Sequence, residues 1–89
     1  MAALQELEQQ LKTLSSQRRL GILAYLKKHH TATVGEIADN IGLSCLATSQ
    51  HLRVLRTAKM VVYIKRGLYV HYRLSLNQSP SSKRILALL

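Results

Sequence analysis

The sequence has few of the features that mark secreted or membrane-embedded proteins. Cys45 is the only cysteine among 89 residues, so no intrachain disulfide can form, and a reducing compartment is indicated. The longest uncharged apolar run, Leu20 to Leu26, has seven residues, whereas a membrane span needs about 20. The chain also starts without the basic-then-apolar pattern of a secretion signal. We therefore expect a cytoplasmic protein with no membrane partner.

Groups that perform catalysis or bind metals are scarce as well. Cys45 has no evident base partner, the few carboxylates form no paired motif, and no phosphate-binding glycine loop is present. His29 and His30 are adjacent, and adjacent side chains on a helix point about 100° apart, so the pair would chelate a metal poorly. These histidines instead place partial positive charge at a helix C-terminus. The sequence predicts neither an enzyme nor a resident metal or other cofactor.

Acidic residues are absent from the second half of the chain. All four Asp and Glu residues lie before residue 40, whereas eight Lys and Arg residues follow it. The formal net charge is +9, and such one-sided charge repels itself unless an anionic partner neutralises it. A solvated basic surface that serves solubility is the alternative. The basic half coincides with a candidate recognition helix, which favours an anionic partner.

Residues 33–57 have the pattern of a helix-turn-helix. Thr33 and Glu36 form a capping box that can start the first helix. Gly42 can take the left-handed conformation at the end of that helix. Ser44 is a good N-cap for the second helix. In such a motif the second helix is the candidate for contacting DNA in the major groove.

Residues 60–75 follow the helix-turn-helix and predict a β-hairpin. They are rich in β-branched and aromatic residues, and Gly67 can form the turn. A hairpin in this position is a wing, which can bring Lys65 and Arg66 at its tip to the DNA backbone or minor groove. With leucine-rich helical patterns before residue 33 and a short helix starting near Ser79, we predict an α+β, mostly α, winged helix-turn-helix. A single domain over residues 1–89 is expected.

The candidate DNA-binding residues lie on the second helix and at the wing tip. Gln50 can bond adenine bidentately and Arg53 can bond guanine, although Arg53 could instead contact only phosphate. His51 could bond phosphate or pack half-buried. Cys45 is either a small residue facing DNA or, because a helix N-terminus favours the thiolate, a redox-sensitive group. The predicted set is Ser44, Cys45, Ser49, Gln50, His51, Arg53, Arg56, Lys65 and Arg66.

Four segments together resemble the ArsR/SmtB family of winged-helix repressors. They are SSQRRLGILAYL, TVGEIADNIGLS, TSQHLRVLRTAKMV and YVHYRLS, in the family's order and spacing over roughly residues 14 to 76. The resemblance implies a homodimeric transcriptional repressor in the prokaryotic cytoplasm that binds an inverted repeat in double-stranded DNA on the nucleoid. Such repressors often respond to an inducer, which this sequence does not identify.

This chain departs from the family pattern at several places. Thr48 stands where a β-branched aliphatic residue is usual, so its hydroxyl should bond back to the preceding turn. Lys59 stands where glycine is common. The C-x-C pair of one family metal site is missing from TVGEIADN, and the Asp, His and Glu ligands of another are missing from SSKRILALL. We therefore expect no metal site.

The two ends of the chain are leucine-rich. Residues 1–14 and 79–89 lie outside the winged-helix unit, and in the family such terminal helices pair across a two-fold axis. The predicted dimer interface comprises Leu4, Leu7, Leu11, Leu14, Ile85, Leu86 and Leu89. Alternatively Leu4, Leu7, Leu11 and Leu14 are ordinary core. Two other functions stay open, namely a non-specific architectural DNA-binding protein and a winged-helix protein-interaction module.

Overall fold

The protein consists of five helices and a three-stranded antiparallel sheet in a computed structural model that describes all 89 residues. In chain order the elements are α1 (Ala2–Leu14), α2 (Gln17–His29), β1 (Ala32–Thr33), α3 (Val34–Ile41), α4 (Cys45–Thr57), β2 (Val61–Arg66), β3 (Tyr69–Leu74) and α5 (Pro80–Ala87). Helices α3 and α4 form the helix-turn-helix, and β2 with β3 forms the wing. The predicted fold class, a mostly helical winged helix-turn-helix, is confirmed.

Local hydrogen bonds set the start and end of the helix-turn-helix as the sequence predicts. The Thr33 hydroxyl accepts a hydrogen bond from the Glu36 backbone N–H at 3.3 Å, and the Glu36 carboxylate accepts one from the Thr33 N–H at 2.9 Å. Hydrogen bonding to Thr33 lowers the pKa of the Glu36 carboxyl. Gly42 has φ +70° at the end of α3, and the Ser44 hydroxyl accepts from the Ala47 N–H at 3.1 Å. These contacts define where α3 begins and ends and where α4 begins.

Helix α4 ends in a left-handed residue that is not glycine. Lys59 has φ +61°, a conformation that glycine adopts without steric cost. The Met60 N–H donates to the Leu55 carbonyl at 3.0 Å, and the Lys59 N–H donates to the Arg56 carbonyl at 2.9 Å. This is a Schellman motif, and buried Met60 starts the passage into the wing. The positive φ of Lys59 explains why glycine is common at this position in the ArsR/SmtB pattern.

The core lies between the helix-turn-helix, α2 and the base of the wing. Its buried cluster comprises Leu14, Ile22, Leu23, Leu26, Ala32, Ile37, Leu52, Leu55, Met60 and Val61. Thr48 is fully buried beside these residues, but its hydroxyl has no hydrogen-bond partner. The expectation that this hydroxyl bonds back to the preceding turn is therefore wrong, and α4 buries an unpaired polar group.

The sheet contains one strand that the sequence analysis missed. Strand β1 has only two residues, and its Ala32 pairs with Tyr72 of β3, so the strand order is β1-β3-β2. Two residues are too few for a recognisable alternating pattern. At the other end of β3, Gly67 and Leu68 form the two-residue turn, and Gly67 has φ +60°. A positive φ at the first turn residue alone fits a type II′ hairpin.

Candidate nucleic-acid interface

The buried residues of α4 define which side of this helix faces outward. Thr48, Leu52 and Leu55 are fully buried, and at about 100° per residue they share one face. Gln50 and Arg53 are exposed and lie almost opposite that face on the same helical count. The two side chains proposed for base contacts therefore point away from the core together.

A third exposed side chain joins them. Leu46 is 72% exposed and lies four residues before Gln50 and seven before Arg53, so the three share one side of the helix. We call Leu46, Gln50 and Arg53 the outer stripe of α4. The sequence analysis missed Leu46, although its spacing from the other two members could have revealed it.

One flank of α4 continues the polar surface toward the wing. Cys45 and Arg56 are exposed there, and Ser49 is half-buried. The Arg56 guanidinium lies 4.8 Å from the centre of the Tyr63 ring on β2, a cation–π contact. This contact holds a basic side chain between α4 and the wing, and Tyr63 could not have been inferred from the sequence.

His51 lies on the opposite flank and is held by α2. The Nε–H of Arg19 donates to His51 Nδ1 at 3.2 Å, and Nη1 of Arg19 donates to the Thr13 carbonyl at 3.1 Å. Since Nδ1 accepts, the imidazole is neutral with its proton on Nε2. Partial burial lowers the pKa of His51, and the charges of Arg19 and Arg18 lower it further. The His51 ring is half-buried, and its Nδ1 is bonded within the chain.

The wing tip is basic and fully open to solvent. Lys65 and Arg66 end β2 and are exposed, and Leu68 of the turn is 95% exposed. Ser44, the remaining predicted contact, is exposed at the N-cap of α4, where its hydroxyl is already used in capping. All nine predicted DNA contacts therefore lie on α4, its cap or the wing tip. His51 alone is bonded to another helix through its side chain.

The two terminal helices form an apolar groove away from α4. We call this surface the terminal groove. From the predicted interface set it contains Leu4, Leu7, Leu11, Leu14, Ile85 and Leu89, and it also contains Leu20 and Leu88, which the sequence analysis missed. Leu14 is only 6% exposed at the base of the groove. Leu86 lies outside the groove and packs half-buried against the core.

Polar contacts at both ends of α5 fix the terminal groove. At the N-terminus of α5, the Gln10 side chain of α1 hydrogen-bonds the hydroxyls of Ser79, Ser81 and Ser82. At the C-terminus, the Lys27 ammonium of α2 donates to the Leu86 carbonyl at 2.9 Å and to the Leu89 carbonyl at 3.3 Å. The Gln10 contacts span 69 and 72 residues of sequence and the Lys27 contacts span 59 and 62, so both hold α5 against distant segments.

The molecule has neither a membrane-spanning helix nor a cluster of metal-ligating side chains. None of the helices combines the length and apolar character needed to cross a membrane. No three of the His, Cys, Asp and Glu side chains converge into a group that could hold a metal ion. The surfaces that stand out are thus the polar side of α4 with the wing tip, and the terminal groove.

Comparison with known proteins agrees with this arrangement. The chain is 34% identical over 67 residues to the arsenical resistance operon repressor of Escherichia coli K12, across 75% of this chain and 57% of that relative. The chain thus spans little more than half the length of this relative.

Solved structures cover almost the whole chain. Reduced HlyU from Vibrio cholerae superposes with a TM-score of 0.84 at 34% identity, covering 99% of this chain and 88% of that one. The homodimeric winged helix-turn-helix DNA-binding domain Mb0332 from Mycobacterium bovis superposes with a TM-score of 0.80 at 28% identity, covering 98% of this chain and 77% of that one.

The model of the arsR family of bacterial regulatory proteins matches residues 16–63, more than half of the chain. These proteins are transcription regulators rather than enzymes, and this chain belongs to the ArsR family of bacterial DNA-binding regulatory proteins.

Proposed function

We propose that this protein is a homodimeric transcriptional repressor that binds an inverted-repeat operator in a sequence-specific manner. It would act in the bacterial cytoplasm on the nucleoid. The observation that supports this most strongly is the exposure of Gln50 and Arg53 opposite the buried face of α4. Both side chain types can form bidentate contacts with base edges in the major groove.

The other predicted contacts would position the protein on the DNA backbone. Arg56, Lys65 and Arg66 are exposed cations that can contact phosphates on the wing side of the groove occupied by α4. Ser44 and Cys45 lie at the N-terminus of α4, where the helix dipole favours an anion such as phosphate. Ser49 can serve as an adaptable base or phosphate contact.

His51 would position α4 rather than contact DNA. Its Nδ1 is occupied by Arg19, and Arg19 also bonds the last turn of α1. The role of His51 in binding would therefore be indirect, through the orientation of α4 against α2.

Dimerisation would use the terminal groove. One α4 can address only a half-site, whereas a two-fold dimer places two such helices in successive major grooves about 34 Å apart. The groove leaves Leu4, Leu7, Leu11 and Leu88 exposed, and an apolar patch of this kind on a soluble monomer marks an interaction site. Burying it against a second copy would align the two recognition helices.

Selection from a random library of duplex DNA, followed by titration of the selected duplex, tests this proposal. We expect a selected duplex with an inverted repeat that binds far more tightly than random duplex of the same length. Affinity should fall steeply with salt, with a log–log slope of about −0.9 per phosphate neutralised.

Each alternative function predicts a different result in this experiment. An architectural DNA-binding protein would bind selected and random duplexes equally, with the same salt dependence. A protein-interaction module would show no measurable binding to either duplex. Either result would overturn the proposal.

A further inference from the structure

Leu46 is an apolar side chain on an outward face of α4 that is otherwise polar and basic. It is 72% exposed, yet it is the second residue of α4 and belongs to the outer stripe with Gln50 and Arg53. A single exposed leucine is ordinary on a protein surface. Its position in line with two residues suited to base contacts is what requires an explanation.

Packing within this chain does not account for Leu46. It belongs neither to the buried core cluster nor to the terminal groove. The two most exposed leucines elsewhere differ in setting, since Leu68 lies on the wing turn and Leu88, at the end of α5, lines the terminal groove. Leu46 is thus available for contact with whatever α4 faces.

The geometry of α4 places Leu46 where a base edge would lie. At 1.5 Å per residue, the outer stripe extends about 10 Å along the helix axis, comparable to three base-pair steps of about 3.4 Å. In helix-turn-helix proteins the N-terminal residues of the recognition helix approach the base edges. Leu46 is at that end of α4.

Chemistry then restricts what Leu46 can contact. Phosphates and base hydrogen-bonding groups would lose water against an isobutyl group and gain no bond in return. The major groove offers one apolar group, the C5-methyl of thymine, and apolar side chains contact it in known complexes. We propose that Leu46 is a specificity-determining residue that selects thymine through its methyl group, an inference that rests on the proposed sequence-specific binding of duplex DNA.

Deoxyuridine replacement tests this contact without altering any base-pair hydrogen bond, because deoxyuridine lacks only the methyl group. A duplex is first selected from a random library with the unmodified protein. Each thymine is then replaced in turn by deoxyuridine, symmetrically in both half-sites. We expect one position at which the replacement weakens binding about fourfold per half-site, which corresponds to the ~0.8 kcal/mol of one buried methyl group.

Two variants identify the side chain responsible. Leu46→Ala should weaken binding to the selected duplex by at least a similar factor and should become insensitive to deoxyuridine at that position. Leu76→Ala, a change of the same chemistry at an 83% exposed leucine outside α4 and the wing, should keep the full sensitivity. Because Leu46 is exposed, Leu46→Ala should fold normally and bind random duplex as the unmodified protein does.

The outcomes separate this inference from the proposed function. If the selected duplex binds specifically but no deoxyuridine replacement weakens binding, the thymine contact is refuted while sequence-specific binding stands. If Leu46→Ala keeps the sensitivity, another side chain contacts the methyl group, and the assignment to Leu46 is refuted. If no duplex is selected at all, both the contact and the proposed function are overturned.

Discussion

The outer stripe of α4 and the terminal groove are both left uncovered by the chain, but they differ in chemistry and in origin. The outer stripe combines a hydrogen-bonding amide and a cation with one leucine, all within eight consecutive residues. The groove is mostly apolar, although Glu8, Lys12 and Ser15 also line it, and it joins α1 to α5, at opposite ends of the chain. Hydrogen bonds are directional and suit discrimination between partners, whereas apolar burial is non-directional and suits association. One surface thus favours specificity, and the other favours stability of an assembly.

The largest effect is expected from placing charge in the terminal groove. Replacing both Leu7 and Leu11 by Glu should destabilise the dimer by about 3 kcal/mol or more, since each subunit would lose two buried leucines and bury carboxylates instead. Sedimentation should show monomers, and cooperative binding to a selected duplex should disappear. Leu76→Glu is the matched control, because Leu76 is 83% exposed and lies outside the groove. A stable monomer of the unmodified protein at micromolar concentration would contradict this prediction.

A smaller effect, confined to specificity, is expected from the outer stripe. Gln50→Ala or Arg53→Ala should weaken binding to a selected duplex more than to random duplex, by about 1–3 kcal/mol for a bidentate contact. Lys65→Ala should weaken binding to both duplexes by the same factor, because a phosphate contact carries no sequence information. Titrations of the three variants against both duplexes measure this difference. Equal effects of all three on both duplexes would show that the assigned roles are wrong.

A change in the core between the two surfaces should alter stability alone. Thr48→Val removes a buried hydroxyl that has no partner while keeping the shape of the side chain. We expect the free energy of unfolding to rise by about 1–2 kcal/mol. Thr57→Val makes the same exchange at an exposed position of α4 and should have little effect. Urea unfolding at a fixed protein concentration measures both, and a destabilised Thr48→Val protein would show that the hydroxyl has a partner in solution.

The smallest effect is expected at His51. Its pKa in the folded protein is lowered from an ordinary value near 6.5, so the unfolded chain binds the proton more readily. The stability that neutral His51 contributes is therefore complete above about pH 6.5 and declines as the pH falls below it, toward the lower pKa of the folded state. His51→Gln should reduce the loss of unfolding free energy between pH 7.5 and pH 5, as measured by urea unfolding. The reason is that the variant lacks one group that binds a proton more readily in the unfolded chain than in the folded one. Equal slopes for His51→Gln and the unmodified protein would refute the assignment.

Signals within a few residues of each other made much of this fold predictable. The capping box at Thr33, the helix stop at Gly42 and the cap at Ser44 depend on bonds within one helical turn, and all three are present. The apolar spacing of α4 predicted which side faces outward. Leu46 was predictable in the same way, because the same spacing assigns it to the outer stripe.

Other features depended on contacts between distant segments. Residues 32 and 33 form strand β1 only because they pair with β3, since two residues alone have no strand pattern. The lack of a hydrogen-bond partner for the Thr48 hydroxyl could not be predicted from the sequence. The position of a hydroxyl in a packed core depends on every neighbouring side chain. His51 accepts a hydrogen bond from Arg19, 32 residues away. Its partner therefore depends on how α2 packs against α4.

The sequence alone determined the order of the elements, the ends of the helix-turn-helix, the basic second half and the polar face of α4, because helical periodicity and capping are local. Only the tertiary structure decided how α1 and α5 meet, through Gln10 and Lys27 at the two ends of α5. It also decided that Leu14 and Leu86 are largely covered within the chain while Leu88 is open. A leucine stripe specifies that a face will be buried, but the partner that covers it depends on packing between elements that the chain brings together only on folding.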